Sequence, residues 1–214
     1  MFFYIQGSPF PDPASADHDG LLAVGGDLSV DTLLKAYCSG IFPWYNENDP
    51  ILWWSPDPRM VLFPDKFKVS KSFRKILRDP GFQVTFNQNF EQVIEACASI
   101  SRSGQRGTWI TQEIKQAYME LHRQGFAVSV ECWYQGNLAG GLYGIDLVDK
   151  KVFCGESMFH TVSNASKVAL YFLSEKLKKE NYQLIDCQIH SDHLASLGAE
   201  NISRQAFLRY LQGS

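Results

Sequence analysis

Two short segments carry the side chains best suited to chemistry. In QLIDCQ (183–188), alternation along a strand puts Ile185 and Cys187 on one face and Asp186 and Gln188 on the other. In GESMF (155–159), a second acid, Glu156, follows a glycine at the end of the preceding strand. A carboxylate in the middle of an apolar strand is costly to bury without a partner. Asp186 therefore either caps a loop or pairs with a lysine, or it stands beside the Gln188 carboxamide at a cleft. With Glu156 on a neighbouring element, two acids and an amide could flank one site, a set suited to hydrogen bonding and proton transfer. Familiar alternatives are missing: the chain has no Walker A loop, GxGxxG, GxSxG or HExxH. The five cysteines, an odd number without a CxxC pair, read as reduced small hydrophobes. His190 and His193 lack a ligand set at metal spacing, so no metal is expected.

The elements that must position these residues follow from periodicity. Residues 59–63 and 82–86 read as strands, and 89–100 and 111–125 as amphipathic helices capped by Asn89 and Thr111. Residues 126–133 and 137–147, joined by Gln135-Gly136, read as a hairpin, with 151–157 the next strand. A long helix over 163–180, the strand 183–190, a short helical turn at 191–198 and a last helix over 203–211 complete an α+β pattern. The first sixty residues differ. They are rich in Gly, Pro and Asp around Trp44, Trp53 and Trp54, and hold one helix, 31–40. A small irregular N-terminal domain (1–60) packed on a larger domain (61–214) is the expected division. Trp109, in GTWIT before a helix start, is a candidate for an exposed ring.

Length and charge narrow the class. The 214 residues are 45% apolar and carry a net charge of −3, which excludes disordered and collagen-like chains. No apolar run approaches membrane-spanning length, and the start, broken by Pro9 and Pro11, is not a signal peptide, so a cytoplasmic protein without membrane association is expected. Charge is unevenly spread: residues 1–60 hold two cations against eight anions, residues 61–130 ten against six. The excess gathers in a short helix expected over 71–79, where Lys71, Arg74, Lys75 and Arg78 share one face and Phe73, Ile76 and Leu77 the other. Such a stripe is either a solvated face or a track for a phosphate backbone.

The strings GLLAVGGDLS, AYCSGIFPW, DPILWWSPDPRMVL, GTWIT, EIKQAY, LAGGLYG, FCGESMF, NASKVAL, LIDCQ and SLGA, in this order, span nearly the whole chain. Together they resemble the leucyl/phenylalanyl-tRNA–protein transferases. Val128 and Ser203 depart from the family pattern, where His and Pro are usual. The resemblance implies a small N-terminal domain on a GNAT-like acyltransferase domain with a mostly antiparallel mixed sheet. It also implies transfer of Leu or Phe, and less well Met, from tRNA to an N-terminal Arg or Lys of a protein, marking it for degradation. Asp186, Gln188 and Glu156 would meet the reacting groups. Leu142, Phe153, Met158, Leu170, Leu173 and Ile185 would line the aminoacyl side-chain pocket. Trp44 and Trp109 would hold the terminal adenosine, and Lys71, Arg74, Lys75 and Arg78 the acceptor-stem phosphates. The expected partners are Leu-tRNA, Phe-tRNA and acceptor proteins, with no cofactor and a monomeric enzyme. The alternative is an acyl-CoA-dependent N-acetyltransferase. Such enzymes carry a glycine-rich pyrophosphate loop, whereas the corresponding helix here opens HTVSNASK.

Overall fold

A computed structural model describes residues 2–100 and 108–212. The first segment forms a four-stranded sheet from β1 (Phe2–Phe3), β2 (Leu21–Val24), β3 (Phe42–Pro43) and β4 (Leu52–Trp54), in the order β1-β2-β4-β3. Helix α1 (Val30–Cys38) precedes β3, its first turn capped by the Ser29 hydroxyl. The strands in this small domain, of two to four residues, are too short to show a period in the sequence. Trp53 is fully buried at its centre, with its ring nitrogen donating to the Gly25 carbonyl at 2.8 Å.

Seven strands build the second sheet: β5 (Arg59–Leu62), β6 (Phe82–Phe86), β7 (Ala127–Tyr134), β8 (Asn137–Leu147), β9 (Val152–His160), β10 (Leu184–Gln188) and β11 (Glu200–Ile202). Their order is β11-β5-β10-β9-β8-β7-β6. Antiparallel pairing prevails, as the Gln135-Gly136 turn requires: both residues take positive φ (51° and 81°), which matches the twist of the β7–β8 hairpin. The single parallel pair of this sheet is β9–β10, and its crossover is the long helix α5 (Ala165–Lys179). Strand β11 is an addition that its short sequence does not announce.

The helices cover both faces. Helix α5 lays Val168, Leu170 and Leu173 in a core with Val130, Leu142, Phe153 and Ile185. Helices α3 (Phe90–Ser99) and α4 (Gln112–Arg123) bury Val93, Ile94, Ile114 and Tyr118 in the opposite core, which continues into the first sheet through Leu33, Tyr37 and Trp53. Thr111 caps α4 through the Ile114 amide at 3.2 Å, whereas the Asn89 side chain makes no cap hydrogen bond on α3. Buried Glu131 of β7 accepts the Asn89 amide at 3.3 Å instead, together with the Thr85 and Ser129 hydroxyls at 2.6 and 2.5 Å. The cationic helix α2 (Lys71–Ile76) is shorter than expected, closing at Leu77. After the short α6 (Asp192–Ser196), α7 (Arg204–Gln212) is the last described element. Ser203, where Pro is usual in the family it resembles, caps α7 through the Ala206 amide at 3.2 Å.

Two irregularities shape the centre of the sheet. Tyr143 pairs with Ser157 and Gly144 with Gly155, leaving Glu156 as an extra residue in β9. Asp186 pairs with Val61 and Gln188 with Met60, leaving Cys187 extra in β10. Both are β-bulges, which re-aim the residues around them. At Gly144 a Cβ would stand 2.2 Å from the Cys154 carbonyl oxygen, whereas at Gly155 the nearest atom is 3.6 Å away. Gly144→Ala is therefore expected to cost about 2–3 kcal/mol in urea unfolding and Gly155→Ala less than about 1 kcal/mol. Equal costs would mean that close backbone approach does not set the β8–β9 bulge.

Candidate active site

Strands β9 and β10 pair over only three residues each, Val152–Cys154 against Leu184–Asp186. Beyond that point β9 continues to His160 while β10 stops at Gln188, and the two part. A cavity of about 390 Å³ occupies the gap. Leu142, Phe153, Met158, Leu170, Leu173 and Ile185 all line it, from β8, β9, α5 and β10. Trp44 and Trp109 contribute from the other side of the sheet, with Phe42, Pro43 and Tyr143. Trp109 is not the exposed ring expected: it is 8% accessible and packed in the core. The Trp54 ring nitrogen donates to the Trp44 carbonyl at 2.6 Å and fixes the backbone that carries the Trp44 ring.

Glu156 and Gln188 face this cavity; Asp186 does not. The bulge at Cys187 and the left-handed φ of 66° at Gln188 break the alternation of the strand, so Gln188 joins Ile185 and Cys187 on the cavity wall. Asp186 is wholly buried, and its partner is Arg59, not a lysine or a loop. Arg59 Nε and Nη2 donate to its two carboxylate oxygens at 2.8 and 2.7 Å, and Nη1 donates to the Gly40 carbonyl at 3.1 Å. The guanidinium lies over the rings of Phe42 and Phe207, at 4.9 and 4.5 Å. Burial works against its charge, but Asp186 beside it leaves the Arg59 pKa raised. Asp186 also accepts the backbone amide of Gln188 at 3.0 Å. Asp186, expected at the cavity itself, instead lies behind it: it fixes the backbone of Gln188, while another group holds the side chain.

That group is Glu156. The Gln188 Nε2 donates to Glu156 Oε1 at 2.8 Å, and the Tyr118 hydroxyl donates to Oε2 at 3.0 Å. Tyr37 of α1 bonds in turn to the Tyr118 hydroxyl. Burial raises the Glu156 pKa to about 7, and the nearby charge of Asp186 adds to this, while the Tyr37, Tyr118 and Gln188 hydrogen bonds hold it down. Cys187 offers no ready nucleophile, because burial and then the charge of Asp186 push its thiol pKa up. The residues that the sequence did not single out, Arg59, Tyr37 and Tyr118, lie at the start of the short strand β5 and in two ordinary amphipathic helices. A signal for Arg59 existed, since a buried Asp186 needs a cation. Nothing in the helical patterns separates the two tyrosines from core.

Lys71, Arg74, Lys75 and Arg78 are exposed on and just after α2, and none is in an ion pair within 4 Å among the described residues. Asp79, four residues beyond Lys75, accepts the Gly81 amide instead, at 2.9 Å. Phe73 anchors the helix against the edge of Tyr171 on α5, ring centres 6.1 Å apart.

Residues 61–212 match the leucyl/phenylalanyl-tRNA protein transferase family, and residues 26–57 match its N-terminal domain. The chain belongs to this family. A leucyl/phenylalanyl-tRNA–protein transferase from Christiangramia forsetii is 60% identical over 211 residues, covering 99% of this chain and all of its own length. Another, from Flavobacterium johnsoniae, is 56% identical over 212 residues and is covered to 99%, as is this chain. Among solved structures, a GCN5-related N-acetyltransferase from Kribbella flavida overlaps 79% of this chain and 60% of its own at 9% identity, with a TM-score of 0.42. The chain is an aminoacyltransferase with an α+β architecture, and its Trp44, Trp109, Glu156 and Gln188 border one cavity.

The Glu156 carboxyl makes stability depend on pH. Its folded pKa, about 7, lies above the ordinary value of 4.5, so between these two the folded state binds the extra proton. Stability contributed by Glu156 is full below about pH 4.5 and is lost as pH rises through about 7. Relative to Glu156→Gln, the protein is expected to lose about 3 kcal/mol across this window, measured by denaturant unfolding at each pH. A difference that stays constant with pH would refute the burial of this carboxyl.

Proposed function

We propose that this transferase moves Leu or Phe, and less well Met, from its tRNA ester to the α-amine of an N-terminal Arg or Lys on an acceptor protein. The reaction takes place in the cytoplasm, by a monomer, and marks the acceptor for degradation. One observation carries the reading: the apolar wall from Leu142 to Ile185 and the Glu156–Gln188 pair share a single cavity. An aminoacyl side chain seated on that wall presents its ester beside the carboxamide. The rings of Trp44 and Trp109 flank the same space and suit the terminal adenosine, with its flat base. The exposed cations of α2 take the acceptor stem.

The chemistry asks little of acid–base catalysis. An aminoacyl ester is already activated, and an α-amine with a pKa of about 7.7–8.0 is roughly a tenth to a sixth neutral at pH 7. Generating free amine would gain about an order of magnitude, whereas orientation can supply up to ~7–11 kcal/mol. With its Nε2 committed to Glu156, Gln188 has its carbonyl oxygen left to accept an N–H from the incoming amine. The amine nitrogen attacks the ester carbon, the carbon–oxygen bond to the ribose breaks, and the leaving oxygen takes up the amine proton. Glu156 supplies negative charge that draws a cationic N-terminus, and Asp186 with Arg59 keeps the backbone of Gln188 in place. A flexible Met158 in the wall suits a pocket shared by Leu and Phe. Apolar pockets discriminate by only ~1–3 kcal/mol per methylene, so leakage to Met is expected.

Transfer of labelled Phe from tRNA to a protein with N-terminal Arg is the direct test, and acetyl-CoA should neither react nor raise the melting temperature. In single turnover, Gln188→Ala and Asp186→Asn are each expected to slow transfer at least tenfold, and wild-type rates in both would remove the site. Donor binding through α2 should fall with salt. Lys71→Ala with Arg74→Ala should flatten the log–log salt slope by about 1.5. An unchanged slope would take the helix out of the RNA interface.

A further inference from the structure

Two buried tyrosines stand behind the Glu156–Gln188 pair without reaching the cavity, and their hydroxyls are not needed for packing. Tyr37 and Tyr118 are 1% and 0% accessible, on α1 and α4, where a phenylalanine would fill the same volume. A buried hydroxyl is unfavourable unless bonded. These two bond to each other, and Tyr118 bonds to Glu156. A tyrosine has one proton to give. Because Tyr118 gives its own to Glu156 Oε2, it receives from Tyr37, and the Tyr37 hydroxyl also acts on the Glu156 carboxyl directly, favouring its ionised form. Gln188 Nε2 donates to the other carboxylate oxygen. Two converging donors are matched only to an ionised carboxyl. Once protonated, Glu156 must itself donate to one neighbour, and donating to Gln188 requires the carboxamide to turn over and present its NH2 to the cavity.

We propose that Tyr118, backed by Tyr37, is a positioning residue for transfer: it keeps the Glu156 carboxylate bound to the Gln188 NH2, so that the Gln188 carbonyl oxygen faces the acceptor amine. This rests on the donor–acceptor reading given above. The groups that act on Glu156 come from every surrounding element. Tyr37 lies on α1, Tyr118 on α4, Cys154 on its own strand, Asp186 and Gln188 on β10, and Arg59 on β5. Asp186 favours the protonated form, while the tyrosines and Gln188 favour the ionised one, in accord with the geometry. The consequence is a link between the first sheet's helix and the reacting amide through four side chains.

The test uses the full-length protein with carboxyl-13C glutamate, the Glu156 signal being assigned by its loss in Glu156→Gln. Its titration midpoint, near 7 in the wild type, is expected to rise by about one unit in Tyr118→Phe and also to rise in Tyr37→Phe. Single-turnover transfer by Tyr118→Phe, taken as a ratio to wild type at each pH, should be down about tenfold at pH 6.5 and recover to within about twofold at pH 8.5. The ratio removes the titration of the amine substrate, which both proteins share. A merely structural role predicts a loss that is flat with pH, and that result, an unmoved midpoint or full activity throughout would overturn the proposal. If the wild type itself transfers nothing, the donor–acceptor reading falls, while the midpoint still decides whether Tyr118 governs Glu156. Tyr37→Phe, which leaves the Tyr118–Glu156 bond in place, repeats the titration should Tyr118→Phe fold poorly.

Discussion

The buried pair of Arg59 and Asp186 is the interaction on which the rest of the site depends. Two charges taken fully out of water gain little net stability, because the loss of hydration offsets most of their attraction. Breaking the pair is another matter, since the charge left behind is stranded. Its worth here is positional. The fork of Arg59 ties β5 to β10 and reaches the Gly40 carbonyl before β3, while Asp186 grips the amide of Gln188 just where the strand bulges. The rings of Phe42 and Phe207 sandwich the guanidinium and exclude water. A left-handed glutamine is strained, and it persists because its surroundings over-determine it.

This arrangement explains why a transferase can do without a nucleophile. On the proposed reading, the donor arrives as an ester with its free energy already stored, and the protein's task reduces to seating two molecules at one edge and keeping one carboxamide turned the right way. Hydrogen bonds of fixed direction do that better than a strong base. The apolar wall and the polar pair meet at the place where the sheet comes apart, and helices from both faces contribute to it.

The larger elements were legible in the sequence because they are long enough to show a period. The hairpin at Gln135-Gly136, the cap Thr111 and the four-turn α5 stand where the pattern puts them. Short strands escaped: β1, β3 and β4 have two or three residues, and a period of two needs more. The six apolar wall residues and the two tryptophans, implied by the family resemblance, border the cavity together. Asp186 was read with strict alternation, which a single extra residue at Cys187 defeats. Tyr37 and Tyr118 were hidden because a tyrosine on the inner face of an amphipathic helix looks like any other core residue until its hydroxyl is located.

The parting of β9 from β10 has a price in evolution. Each ladder position that the two strands forgo is a hydrogen bond and a packed layer not made, and substitutions that sealed the gap would toughen the protein while erasing its work. Selection for heat resistance alone would drive this chain toward a seamless sheet. Thermostable relatives are therefore expected to gain their robustness at the rim, in turns and surface charges, and to leave this seam unhealed.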